Sequence, residues 1–85
     1  MIFLKIEIND RWEDYTLKTD RRSNAHLVSF DREERTYHCT CEDYRYRRDK
    51  LEFGGVAALD TANHCKHITE VRRLRQLLVD GGFLE

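Results

Sequence analysis

The chain has 85 residues, 40% of them hydrophobic, with no proline and three cysteines, which leaves room for one domain with a small core. Its 15 basic and 16 acidic side chains give a formal charge of −1, so a strongly basic whole-chain balance is excluded and any polyanion contact has to use a local patch. No segment approaches the ~18 consecutive apolar residues of a membrane span, and the opening MIFLKIEIND does not resemble a secretory signal. A soluble, cytoplasmic protein is expected, nuclear if eukaryotic, with no membrane partner.

In IFLKIEI, Ile2, Leu4, Ile6 and Ile8 alternate with Phe3, Lys5 and Glu7, the period of a half-buried strand over about 2–8. Asn9-Asp10 is a turn-type pair, and WEDYTLKT, with Tyr15 and Leu17 on one face, predicts the second strand of an N-terminal hairpin over about 2–18. A short helix capped by Asp10 with Glu13 three residues later is the competing reading.

DRRSN is a polar loop, AHLVSFD is strand-like through Leu27, Val28 and Phe30, REE turns the chain, and RTYHCTC returns as another strand. EDYRYRRDK, charged and tyrosine-rich, predicts a short helical turn, followed by an irregular connection through Gly54-Gly55 and DTANH. The clearest period is in CKHITEVRRLRQLLVDGG. There His67, Ile68, Val71, Leu74, Leu77 and Leu78 fall on one side of a helix, and Lys66, Thr69, Arg73 and Gln76 on the other. Gly81-Gly82 supplies its stop. The expected fold is therefore α+β, a single domain 1–85 in which a three- to four-stranded antiparallel meander packs on one C-terminal helix.

Domains this short often add a disulfide or a metal to their core. Three cysteines cannot all pair within one chain, and a cysteine cluster in a reducing compartment is more often a metal or catalytic site than a disulfide framework. Thiolates and neutral imidazoles are the usual zinc ligands, four to a closed structural site. Cys39 and Cys41 stand one residue apart at a strand end, where i and i+2 share a face. Cys65 and His67 stand at a helix start, whose positive end favours a thiolate. A redox pair is disfavoured because Cys-x-x-Cys is absent. Among the other histidines, His38 is expected to face away on its strand, His64 to cap or lie on the surface, and His26 to be a plain strand position.

Cys-x-Cys, twenty-three residues, then Cys-x-His resembles the SWIM zinc finger, as do HLVSFD, TYHCTCEDY and CKHI around the ligands. The resemblance covers about 25–80 and implies one Zn2+ per chain, held by Cys39, Cys41, Cys65 and His67. The spacer is long for the family, and Glu42 stands where a proline is frequent.

Because the ligands would be consumed by a closed site, an enzyme with a small-molecule substrate is not expected. Tyr44, Arg45, Arg47, Arg48 and Lys50 beside the site, with Lys66 and Arg73 on the helix, form a candidate nucleic-acid surface, since cations neutralise phosphates and rings stack on bases. SWIM fingers act in transposition, recombination and transcription-related assemblies, which makes DNA an expected partner. The alternative is a protein-interaction module, a homodimer or the partner of a recombinase-type ATPase, using the broad apolar arc of the helix or the edge of the first strand.

Overall fold

A short polar side chain makes the first reversal. Asn9 Oδ1 accepts the backbone N–H of Arg11 at 3.1 Å and of Trp12 at 2.8 Å, while its own N–H donates to the Trp12 carbonyl at 2.9 Å. Asparagine mimics a backbone turn in this way, and the result is a hairpin, not the competing helix. The computed structural model describes residues 1–42, 44 and 55–84.

Strands β1 (Ile2–Ile8), β2 (Trp12–Lys18), β3 (His26–Asp31), β4 (Thr36–Cys39) and β5 (Val56–Ala57) form one sheet in the order of the chain. Every neighbouring pair is antiparallel. The two-residue β5 is the strand the sequence did not announce; it pairs Val56 with Tyr37 and Ala57 with Thr36. One helix, α1 (Lys66–Asp80), crosses β2, β3 and β4.

The turns after β2 and β3 are each closed by an aspartate. Asp20 Oδ1 accepts the N–H groups of Arg22 and Ser23 after β2. Asp31 Oδ1 accepts those of Glu33 and Glu34 after β3, and Arg35 leaves that turn with φ of 57°.

The core lies between α1 and one face of the sheet: Tyr15 and Leu17 from β2, Val28 and Phe30 from β3, Tyr37 from β4, Val56 from β5, Ile68 and Val71 from α1. Strict alternation in β2 puts Glu13, Tyr15 and Leu17 under the helix and leaves Trp12, Asp14, Thr16 and Lys18 on the other face.

Three details depart from the sequence pattern. First, β1 carries a bulge between Phe3 and Lys5, so its alternation is broken. Phe3 pairs with Leu17 and Ile6 with Tyr15 on the helix side, whereas Ile2 pairs with Lys18 on the other. Second, β4 ends at Cys39, and only the Thr40 N–H, donating to the Leu27 carbonyl at 3.1 Å, carries the ladder one step further. Third, on α1 the predicted apolar face loses Leu77, which is exposed, and gains the buried Arg75.

The helix stops as expected, with the left-handed residue at Gly82 (φ 83°) and the Phe83 N–H returning to the Leu78 carbonyl at 2.8 Å. Of the predicted helical turn after Cys41, Glu42 and Tyr44 have helical backbone, and the remainder of 43–54 lies outside the described residues. Among the described residues no helix is long and apolar enough to cross a membrane.

Candidate metal centre

The end of β4 and the start of α1 meet, and their meeting point holds all three cysteines. Cys39 is the last residue of β4, and Cys41 follows in the bend beyond it. Cys65, in extended conformation (φ −71°, ψ 172°), is the residue that precedes the first turn of α1, and His67 lies within that turn. All four are buried, and their ligand atoms lie within 4.8 Å of one another. A tetrahedral zinc with bonds of about 2.3 Å to sulfur spans sulfur–sulfur edges of about 3.8 Å, so the cluster is nearly the size of a metal site.

The decisive detail is the contrast between two neighbouring histidines. His67 is 2% exposed, and neither ring nitrogen has a hydrogen-bond partner. Burying an imidazole in that condition costs free energy; a metal bond on one nitrogen would remove part of the cost. His64 is also buried, but both of its nitrogens are occupied. Nε2 lies 3.0 Å from the Ala57 carbonyl and Nδ1 lies 3.4 Å from Arg72 Nη1. The tautomer that fits both contacts carries its proton on Nε2, donates it to the carbonyl and accepts from the guanidinium. Of the two places expected of it, His64 is therefore not on the surface but does cap, ending the turn Thr61–Asn63 with its N–H on the Thr61 carbonyl; it also braces β5 against α1 and stacks edge-on against Tyr37 at 5.4 Å. His38 faces away, as expected, near Trp12. His26 stands closer to the site than a plain strand position would, its ring 4.7 Å from that of His67.

The electrostatics favour the ligand form at Cys65 and His67 and the protonated thiol at Cys39 and Cys41. The Cys65 thiol is pulled down to about 5, first by the Cys39 thiol facing it and then by backbone amides of the first helical turn, those of Ile68 and His67. The thiols of Cys39 and Cys41 are pushed up. For Cys39 the leading cause is the hydrogen bond to Cys65, with burial next; for Cys41 it is burial. Burial also lowers the His67 pKa, keeping the imidazole neutral and able to bind a metal. The Tyr44 N–H donates to Cys41 Sγ at 3.4 Å. Three cysteine sulfurs beside an imidazole kept neutral by burial make a soft donor set, which suits a zinc-type ion.

Of the predicted nucleic-acid residues, Tyr44, Lys66 and Arg73 are among the described residues. Arg45, Arg47, Arg48 and Lys50 lie outside the described residues. Tyr44 is 2% exposed, its hydroxyl donating to the Tyr37 carbonyl at 3.3 Å; its ring is packed in the core and is not a stacking platform. Lys66 and Arg73 are exposed as expected, with Arg73 paired to Glu70 at 3.3 Å.

Sequence reasoning also missed a charged pair in the core. Glu13, fully buried, receives Arg75 Nε on Oε1 at 2.9 Å and Nη2 on Oε2 at 3.1 Å. The Tyr15 hydroxyl donates to the same carboxylate at 2.6 Å, and Arg32 Nε lies 3.4 Å away. The Arg75 guanidinium also sits 4.3 Å over the Phe30 ring. The partners are 62 residues apart in the chain. The only sequence signal was a glutamate in phase with Tyr15 and Leu17 on the face of β2 that the helix covers.

Searches of protein-family models, curated proteins and solved structures return no match to this chain.

Proposed function

We propose that this chain is a small zinc-stabilised module of the SWIM type, in which one Zn2+ bound by Cys39, Cys41, Cys65 and His67 fastens α1 to the sheet, and whose work is binding, not catalysis. The observation that carries the metal reading is the buried His67 ring with both nitrogens unpartnered beside three cysteine sulfurs. Four protein ligands would close a tetrahedral site and leave no position for a reacting water, which supports a structural role.

Zinc content per chain tests this directly. One zinc is expected in the wild type, in His64→Ala and in His38→Ala, and none in His67→Ala. A wild type without metal, or zinc lost in His64→Ala while His67→Ala keeps it, would overturn the assignment. The Cys39 thiol, by its hydrogen bond to Cys65 and by burial, and the Cys41 thiol, by burial, are held toward their protonated form, so zinc uptake should also release protons.

For the partner, the described surface supports a protein-interaction module over a DNA-binding one. Exposed Leu4, Ile6, Ile8, Leu77 and Phe83 offer apolar contact, while one of the two described helix cations proposed for DNA, Arg73, is already paired to Glu70. A DNA ligand remains the expectation carried by the SWIM resemblance and by the arginines after Cys41. Binding that falls steeply with salt and weakens in Arg47→Ala/Arg48→Ala with zinc retained would establish it.

A further inference from the structure

We propose that β1 is a self-complementary docking edge, through which two copies of this chain join their sheets by antiparallel β1–β1 pairing about a two-fold axis at Ile6. The proposal rests on reading the chain as an interaction module and does not depend on the metal.

β1 is the terminal strand of the sheet, so among the described residues its outer backbone groups have no strand to pair with. Open edges are usually blunted. Here Leu4, Ile6 and Ile8 are instead 52, 42 and 47% exposed, while α1 packs mainly on β2 to β4. Ile8 also lines one groove with Phe83 and Leu84, among the charged side chains of Asp10, Arg32, Arg35 and Arg75.

The charge pattern of the edge selects the partner. Lys5 and Glu7 form an ion pair on the face away from the helix, where they lie opposite Thr16 and Asp14 of β2. A two-fold axis perpendicular to the sheet preserves its faces, so only registers that pair residues of like orientation are allowed. Centring the axis on Lys5 would set lysine against lysine, and centring it on Glu7 would set glutamate against glutamate. Centred on Ile6, Lys5 of each copy faces Glu7 of the other, while Ile6 meets Ile6 on the helix side. Opposite charges directly across a strand pair stabilise it and like charges destabilise it. The lone lysine that would guard an edge against strangers is thus answered by a glutamate on an identical chain.

Charge reversal of the full chain tests both the surface and the register, read by sedimentation equilibrium from micromolar concentration to ~1 mM. The wild type should form a dimer. Glu7→Lys and Lys5→Glu should each dissociate about tenfold more readily, since two pairs become repulsive in each. The double variant Lys5→Glu/Glu7→Lys should recover wild-type association. The two single variants should pair with each other when mixed, which native mass spectrometry can resolve. Glu7→Lys places a lysine opposite Asp14, so the monomer itself should fold unharmed. A wild type that stays monomeric throughout, or a dimer indifferent to these changes, would overturn the proposal. Zinc content of the same samples reports on the metal assignment separately.

Discussion

The helix is tied to the sheet at two places, by opposite kinds of chemistry. At its start, Cys65 and His67 meet Cys39 and Cys41; ten residues on from Cys65, Arg75 meets Glu13. Both ties bury groups that would be unstable alone, and each makes the core conditional on a partner: an ion in one case, a side chain from the far end of the sequence in the other. On the proposed reading a cation completes the first and is supplied from outside. The second is complete within the chain, so the two ends of the helix should respond to different insults.

The largest effect expected is at the metal end. Structural zinc supplies on the order of 10 kcal/mol or more of folding free energy in small domains, comparable with the whole stability of a domain this size. Treatment with a strong chelator should therefore abolish cooperative unfolding by circular dichroism, with helical signal lost before strand signal because α1 is held to the sheet at that end. An apo form that melts as the zinc-loaded form does would mean that the second tie alone suffices.

Next in size is Glu13→Ala in the zinc-loaded protein. It leaves Arg75 buried without its carboxylate, a change that costs about 3–5 kcal/mol in comparable buried pairs. Urea denaturation should show that loss with zinc content unchanged. Replacing both partners, as Glu13→Leu/Arg75→Leu, should recover most of it, because a buried pair holds little net advantage over packed apolar side chains. A single variant within about 1 kcal/mol of wild type would show that the second tie is ornamental and that the metal carries the helix.

The two ties also differ in how far they could be read from the sequence, and for a physical reason. Metal ligation draws on few residue types at spacings fixed by strand alternation and by a helix's first turn, so Cys39, Cys41, Cys65 and His67 stood out before any fold was known. An ion pair between Glu13 and Arg75 draws on the commonest charged residues, and its geometry is set by tertiary packing that no local period records. Leu77 accordingly read as core, when it is exposed and Arg75 is buried instead, on Glu13. The order of β1 to β4 was legible through alternation and turn residues. β5 was not, because two residues have no period, and neither was the bulge at Leu4, which a regular apolar alternation disguised. The burial of His64 was missed for a similar reason: its carbonyl acceptor belongs to that unannounced strand.

A more exposed ion pair calibrates the second tie and carries the smallest effect. Arg11 clamps Asp31 with two hydrogen bonds, Nε to Oδ1 at 3.2 Å and Nη2 to Oδ2 at 3.0 Å, but Arg11 is half exposed where Arg75 is buried. The Arg11 guanidinium, followed by the backbone amides of Glu34 and Glu33, holds the Asp31 pKa below its ordinary value. A carboxyl whose pKa is lower folded than unfolded contributes stability that is present above the unfolded value, about 3.9, and is lost as pH falls through the folded value. Arg11→Ala should thus lower the melting temperature slightly at neutral pH, and the difference from wild type should shrink as pH falls below about 4, in samples whose metal state is matched. Solvent and salt screen an exposed partner, so added salt should shrink the same difference while leaving the cost of Glu13→Ala nearly intact. If salt erased both alike, the Glu13–Arg75 pair would have to be reached by water, and the contrast between an exposed clamp and a buried tie would fall.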